Sequence, residues 1–425
     1  MILKVHPASF LQGTVPLPGS KSYSIRAFLI ALCGGHSTII DPSDCDDAKV
    51  AMAVSEAMGA QVRRVKNNSL KIRAPFSKIY PKKINVKESG TVLRFILPLL
   101  ALRGKKVTVV GEGTLKGRPN SFLLETLRQM GSRIQGQGEK ESVPIYLEGG
   151  TINAGRLSID ASLSSQFISA LLIVCPQLSE DTHLILKGKK LVSLDYIDMT
   201  LQVLRKTKIK IKKLNNRNYV IPGRQKFQGL KNFSVPSDYG LAAFLMAAAS
   251  LIKSQVTLTG NLKDDLIQAD GEILFLLKKM GAQLTKTSKS IKIKGPFDLK
   301  GGNFSLKNCP DLVPIMTIMA LFAKGKTRLY DIEHARAKES DRISDLRNEL
   351  LKIGANIIER KNEMTIVPQK NYKKNCLLDP HHDHRLAMAF AVLGLKLGVR
   401  VKDIECSHKS YPGFVKDFQS IILTS

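Results

Sequence analysis

The sequence predicts an α/β protein of two similar domains, each assembled from three βαβαββ repeats around buried helices, and three observations carry that prediction. Six strongly apolar helical runs recur along the chain, each opened by a short polar cluster, and the openings at residues 19–22, 89–91, 164–166, 237–240, 309–311 and 383–385 follow one another at intervals of 70 to 75 residues. Between them lie amphipathic helices, four of which close alike: Met58-Gly59-Ala60, Met130-Gly131-Ser132, Met280-Gly281-Ala282 and Ile353-Gly354-Ala355. The glycine falls where a helix ends in a left-handed residue. After each closure comes an alternating hairpin such as QLTKTSKSIKIKG or NIIERKNEMTIVP.

The first repeat opens with LPGSKSYSIR. Pro18 and Gly19 end an extended segment, and Ser20 or Ser22 is expected to cap a helix reading RAFLIALCGG, broken by Gly34 and Gly35. Lys21, Ser22 and Arg26 then gather at a helix N-terminus, where free backbone N–H groups, the helix dipole and two cations suit a phosphate or carboxylate. Taken alone, such a motif is an ordinary capped helix with solvated basic residues. Its recurrence changes the reading. The second opening, SGTVLR, supplies Gly90, Thr91 and Arg94, and GEGTLKGRP adds Arg118. The third repeat offers Ser164, Ser165 and Gln166, then LVSLDYID with Ser193 and Tyr196; its outer-helix stretch LQVLRKTKIKIKKLNNRNYVIPG keeps the pattern without the glycine. The fourth opening is DYGLAAF, with Asp238. The fifth is CPDLVP, with Asp311, followed by ARAKESDRISDLR with Lys338, Glu339 and Arg342. The sixth is DHR, with His384 and Arg385, followed by SHKSYPG with Lys409.

The buried runs, FILPLLALRG and LAMAFAVLGLKLG among them, are apolar nearly all round. The sixth repeat stops after a helix over 411–423, without closing strands, and the extended segment 2–15 reads as a strand pair with no repeat of its own. The two ends are therefore expected to meet, giving one domain over 17–236 and another made of 1–16 and 237–425. The active site is expected in the cleft between them, with the helix N-termini converging on one anion site.

At 425 residues, with 43% hydrophobic and 24% charged, the chain can bury two substantial cores. No window offers about 18 uninterrupted apolar residues and the start lacks a secretory signal, so a cytoplasmic protein without membrane contact is expected. The six cysteines are scattered, with no CxxC pair, and read as reduced and structural. His381, His382 and His384 form the only histidine cluster, and no metal is expected. The net charge of +29 admits nucleic acid as a partner, but no basic run is interleaved with stacking aromatics; a polyanionic small substrate would use the same field.

The strings GSKSxSxR, SGT…R, SSQ, PDL, KESDR, DHR and KSYPG, in this order and over nearly the whole chain, resemble the 3-phosphoshikimate 1-carboxyvinyltransferases of the enolpyruvyl transferase family. The resemblance implies an inverse α/β barrel-like domain, twice. It also implies transfer of the enolpyruvyl group of phosphoenolpyruvate to the 5-hydroxyl of shikimate 3-phosphate, with no cofactor, in a monomer. It puts Ser22 and Arg26 on the shikimate carboxylate and Ser164, Ser165, Ser193 and Lys338 around its phosphate. Lys21, Gln166, Tyr196, Asp311 and His334 also face that substrate. Phosphoenolpyruvate is then held by Lys21, Gly90, Arg118 and Gln166 at its phosphate and by Arg342 and Arg385 at its carboxylate, with His384 and Lys409 nearby. The planar guanidinium forks suit carboxylates, while lysines and helix N-termini suit phosphates. Asp311 is implied as the base for the 5-hydroxyl and Glu339 as the acid for the methylene carbon, with Lys21 and Lys409 counted among the catalytic residues. The phosphoenolpyruvate site is also where glyphosate is expected to fit, against Gly90.

Three positions depart from the family pattern: Glu88 stands where an Asn is usual, His334 where some relatives have Asn, and Phe95 where others have Pro. The fourth opening lacks the usual serines. Two other readings stay in view. One is the related transferase acting on UDP-N-acetylglucosamine, which begins with GAKN rather than GSKS; the other is an RNA-binding or RNA 3′-phosphate cyclase-like protein, supported by charge and repeat architecture.

Overall fold

The computed structural model describes residues 1–66, 68–74 and 81–423. Two strands come first, β1 (Leu3–Val5) and β2 (Leu11–Pro16). Repeat 1 continues with α1 (Lys21–Ala31), β3 (His36–Ile40), α2 (Asp46–Ala57), β4 (Gln61–Val65) and β5 (Ser69–Arg73). Repeat 2 is β6 (Lys83–Asn85), α3 (Gly90–Arg103), β7 (Val107–Val110), α4 (Ser121–Gln129), β8 (Arg133–Gln137) and β9 (Ser142–Gly149). Repeat 3 is β10 (Gly155–Asp160), α5 (Ser165–Val174), β11 (Thr182–Lys187), α6 (Leu194–Lys206), β12 (Lys212–Lys213) and β13 (Asn218–Ile221). Repeat 4 is β14 (Phe233–Ser234), α7 (Tyr239–Leu251), β15 (Ser254–Thr259), α8 (Ile273–Lys279), β16 (Leu284–Lys286) and β17 (Ser290–Ile293). Repeat 5 is β18 (Asn303–Ser305), α9 (Val313–Leu321), β19 (Thr327–Tyr330), α10 (Ser344–Leu351), β20 (Asn356–Arg360) and β21 (Glu363–Val367). Repeat 6 is β22 (Cys376–Leu378), α11 (His384–Leu397), β23 (Val399–Val401) and α12 (Phe414–Ser420).

The chain divides into two compact units, one of residues 19–43 and 47–235, the other of 1–18, 44–46 and 236–425. In the unit of repeats 1–3, α3 packs on both α1 and α5. These helices are apolar on every side, so they sit inside, and each sheet covers them with its inward-facing alternate residues. The sheet of repeat 3 runs β10-β11-β13-β12, with the first pair parallel and the rest antiparallel, and repeat 2 copies it as β6-β7-β9-β8. In the unit of repeats 4–6, α7, α9 and α11 pack against one another in pairs, and Phe244 of α7 meets Phe414 edge-on, with Phe418 stacked on Phe414.

Repeats 1 and 4 exchange their leading strands. β2, which runs into α1, lies parallel to β15, whereas β14, which runs into α7, lies parallel to β3. The N-terminal strands are therefore not a pair. β1 lies antiparallel to β23 in the three-stranded sheet β1-β23-β22, in the place a hairpin strand occupies in the other repeats, so it completes repeat 6. The ends do meet: Gln12 N donates to Ile421 O at 2.8 Å and the N-terminal ammonium reaches Glu405 at 2.5 Å.

The helix closures follow the sequence. Gly59, Gly131, Gly281 and Gly354 have φ between 82° and 112°, where a side chain would be strained. Repeat 3 makes the same closure with Lys208, φ 67°: its N–H donates to Arg205 O and that of Ile209 to Leu204 O. The capping expected at α1 is different. Ser20 sits at the N-cap without a side-chain bond, and Ser22 is already inside the helix.

Candidate active site

In the unit of repeats 1–3 the polar openings are tied together by two arginines. Arg94, one turn into α3, donates to Gln166 Oε1 at 2.5 Å, to Pro119 O at 3.0 Å and to Asn120 Oδ1 at 3.3 Å, over the Phe167 ring. Gln166 in turn donates to Thr91 Oγ1 at 2.9 Å, so the starts of α3 and α5 are linked. Sequence reasoning gave Arg94 no task; its place one turn after Gly90 was the available signal. Ser164 caps α5, its Oγ accepting from Gln166 N at 3.3 Å, and Ser165 is the first residue of that helix. Ser193 precedes α6 with φ 55°, its carbonyl accepting from Tyr196 N.

Gly90 leaves room for Arg118: a Cβ there would stand 2.8 Å from Nη1. Glu88 accepts from Thr114 Oγ1 at 3.1 Å, tying this opening to the loop that carries Arg118. Lys21 pairs with Asp47 at 3.2 Å. Arg26 is buried, and its donors go to Thr200 Oγ1, Ser22 O and Tyr196 O at 2.9, 2.9 and 3.0 Å. Phe95 lies under its guanidinium, 5.3 Å from ring centre to Cζ, with the Tyr196 ring at 5.8 Å. Burial lowers the Arg26 pKa to about 10, so it stays charged at neutral pH.

The unit of repeats 4–6 holds a denser set. Arg342 is 1% exposed and meets three carboxylates: Nε reaches Asp383 at 2.7 Å, Nη1 reaches Asp311 at 2.7 Å and Nη2 reaches Glu339 at 3.0 Å. Asp383 is itself the cap of α11, accepting from Arg385 N. Arg385 reaches Asp311 with Nη2 at 2.9 Å and donates to Gly240 O at 3.2 Å, so the starts of α7, α9 and α11 share one guanidinium. Lys338 adds a third cation, 3.5 Å from Asp311. Asp311 lies in the short 3-10 turn before α9 rather than at an N-cap. Burial alone would push its carboxyl up, but Arg385, Lys338 and Arg342 hold it well below the usual carboxylate range. Arg342 is correspondingly held charged: burial works against it and Asp383, Asp311 and Glu339 outweigh burial.

His334 is buried in the 3-10 segment Glu333–Ala337, and its Nε2 has no hydrogen-bond partner among the described residues. Burial, then Lys338, lower its pKa to about 3, so it is a neutral imidazole able to meet a substrate hydroxyl. His384 is the first residue of α11 and is buried, and Lys409 is buried at the end of the 3-10 segment Ile404–Lys409, which packs along α11. Several predicted residues thus gather around the starts of buried helices, Gly90, Arg118 and Gln166 in one unit and Asp311, Lys338, Glu339, Arg342 and Arg385 in the other, while Ser193 and Tyr196 lie at the start of the outer helix α6 and Lys409 lies beyond the end of α11. Two fixed guanidiniums sharing a carboxylate can bind an anion in the same plane, and a carboxylate so placed can exchange a proton with what is bound.

Comparison with known proteins gives one family. The model described as EPSP synthase (3-phosphoshikimate 1-carboxyvinyltransferase) matches residues 5–418. A protein of Methanosarcina mazei named 3-phosphoshikimate 1-carboxyvinyltransferase is 35% identical over 420 residues, 97% of this chain and 96% of that one. One of the same name from Buchnera aphidicola is 32% identical over 426 residues, covering 99% and 97%. Among solved structures, EPSP synthase from Acinetobacter baumannii superposes with a TM-score of 0.80 at 24% identity, covering 100% of this chain and 98% of that one. The enolpyruvyl transferase NikO from Streptomyces tendae superposes with 0.76 at 16% identity, covering 99% and 97%. At those identities the likeness shows the fold, the inverse α/β barrel that the resemblance implied.

Proposed function

The chain belongs to the EPSP synthase family, and we propose that its reaction is the family's: transfer of the enolpyruvyl group of phosphoenolpyruvate to the 5-hydroxyl of shikimate 3-phosphate, with release of phosphate, in aromatic amino acid biosynthesis. The observation that carries the assignment of roles is the Asp311 carboxylate spanned between Arg342 and Arg385. The phosphoenolpyruvate carboxylate takes those two guanidiniums. In doing so it draws them from Asp311, whose proton affinity rises as its cations are shared. The base is therefore weak until the substrate is in place.

The 5-hydroxyl oxygen then bonds to the phosphate-bearing carbon while its proton passes to Asp311 and the methylene carbon takes a proton from Glu339. The tetrahedral adduct expels phosphate and gives back a methyl proton, leaving the enol ether. Lys21, Arg118, Gln166 and the Gly90 backbone hold the departing phosphate, with Lys409 beside it. Ser22 and Arg26 orient the shikimate carboxylate, and Ser164, Ser165, Ser193 and Lys338 its phosphate, with Tyr196 and His334 against the ring. No cofactor or metal enters this scheme.

The roles are tested with Glu339→Gln. The amide keeps an oxygen to accept from Arg342 and cannot protonate carbon, so kcat should fall by about 10²–10⁴ while both Michaelis constants stay within about threefold. Wash-in of deuterium from D2O at the methylene carbon should fall with it. A change confined to the Michaelis constants makes Glu339 a positioning residue.

A further inference from the structure

Asp270 is a buried carboxylate for which the scheme above has no task. It lies in the 3-10 turn Ala269–Glu272 ahead of α8, 8% exposed, and its Oδ2 is 3.6 Å from Nη2 of Arg385. The same Nη2 is 2.9 Å from Asp311, so Arg385 stands between two carboxylates of its own chain. Gly240, in the first turn of α7, makes the room: a Cβ there would overlap the Asp270 carboxylate and lie 3.0 Å from Arg385 Nη1. Gly240, Asp270 and Arg385 are therefore packed as one group, and no side chain could stand at position 240 in the same arrangement. The charged groups facing Asp270 are Arg385 from α11, Asp311 from the turn before α9, Asp238 from the cap of α7 and Lys338. Burial first, then Asp311 and Asp238, raise its carboxyl against the pull of Arg385 to about 7.

We propose that Asp270 is a positioning residue for Arg385 that takes up a proton from solvent when the substrate carboxylate binds there, so that binding of phosphoenolpyruvate is coupled to proton uptake. The inference rests on reading Arg385 as a carboxylate ligand. Its physical basis is charge crowding: a third carboxylate arriving at one guanidinium disfavours the ionised form of the acid beside it, and Asp270 is the member of the set nearest neutrality. The proton goes on to the Asp270 carboxylate, no other bond changes, and it returns to solvent on product release.

By linkage, a group that must be protonated in the complex makes the Michaelis constant for phosphoenolpyruvate rise with pH above about 7. Asp270→Asn is neutral at every pH and lacks that rise. With shikimate 3-phosphate saturating, the variant's Michaelis constant should match the wild type's near pH 6 and be about threefold to tenfold lower near pH 8.5, with kcat moving less. Ionisation of the substrate's own phosphate is common to both proteins and cancels in the ratio. Pairs of curves that run parallel, or a variant weaker at every pH, overturn the proposal. Should the Asn variant melt below the assay temperature, Asp270→Ser carries the same comparison. A wild type that releases no phosphate from phosphoenolpyruvate overturns the functional reading instead, whereas an active wild type with parallel curves overturns only the role of Asp270.

Discussion

Gly90 and Arg118 show how one missing side chain sets the position of another. From the resemblance, a methyl at Gly90 is expected to crowd glyphosate more than phosphoenolpyruvate. The structure puts a guanidinium in its way first, at 2.8 Å, and the end of a long side chain can move aside. Gly90→Ala should therefore act by displacing Arg118, raising the Michaelis constant for phosphoenolpyruvate by about tenfold. In an Arg118→Lys background the same change should matter much less, and a double-mutant cycle should give a coupling of about 1 kcal/mol or more. Additive effects would show that Gly90 acts on the ligand or the turn alone. The cations and serines at the helix openings were legible in the sequence because each opening is a local string. The pairing of those cations with carboxylates was not, because Arg342 meets Asp383 from 41 residues away and Arg385 meets Asp311 from 74. For the same reason two departures from the family pattern made no sense until folded: Glu88 ties its opening to the Arg118 loop and Phe95 lies under Arg26.

At the scale of the element, the helix closures behave as their glycines require, and repeat 3 is the informative exception. Lys208 holds a left-handed φ of 67° and makes the same pair of closing bonds without the residue suited to it. The sequence pattern showed the missing glycine, while only the structure shows that the turn keeps its shape. Lys208→Gly should relieve the Cβ strain and stabilise the protein by about 1 kcal/mol, read as a higher urea midpoint with unchanged slope. A loss of stability would mean that the entropy glycine adds to the unfolded chain outweighs the strain. Starts of helices were harder to read than their ends. Ser20, Ser89 and Ser164 all stand at N-caps, yet among these only Ser164 makes a side-chain capping bond.

At the scale of the whole molecule, the sixfold period, the incomplete last repeat and the meeting of the chain ends were all legible, since each is a matter of spacing. The expected bounds already put β2 with repeats 4–6 and β14 with repeats 1–3, but their partners, β15 for β2 and β3 for β14, were not legible, because each pairing joins strands far apart in sequence and no local string names the partner. The high charge, 65 Lys and Arg against 36 Asp and Glu, suits a protein whose substrates are both anionic, and it is the feature that kept an RNA-binding reading in view. Those readings part most sharply in one measurement, phosphate release from phosphoenolpyruvate with shikimate 3-phosphate, with UDP-N-acetylglucosamine, with an RNA oligonucleotide, or with no acceptor. Release that depends on shikimate 3-phosphate, stops when either substrate is used up and does not occur with the other three is the predicted result; release supported by the nucleotide sugar, or none with shikimate 3-phosphate, would contradict it.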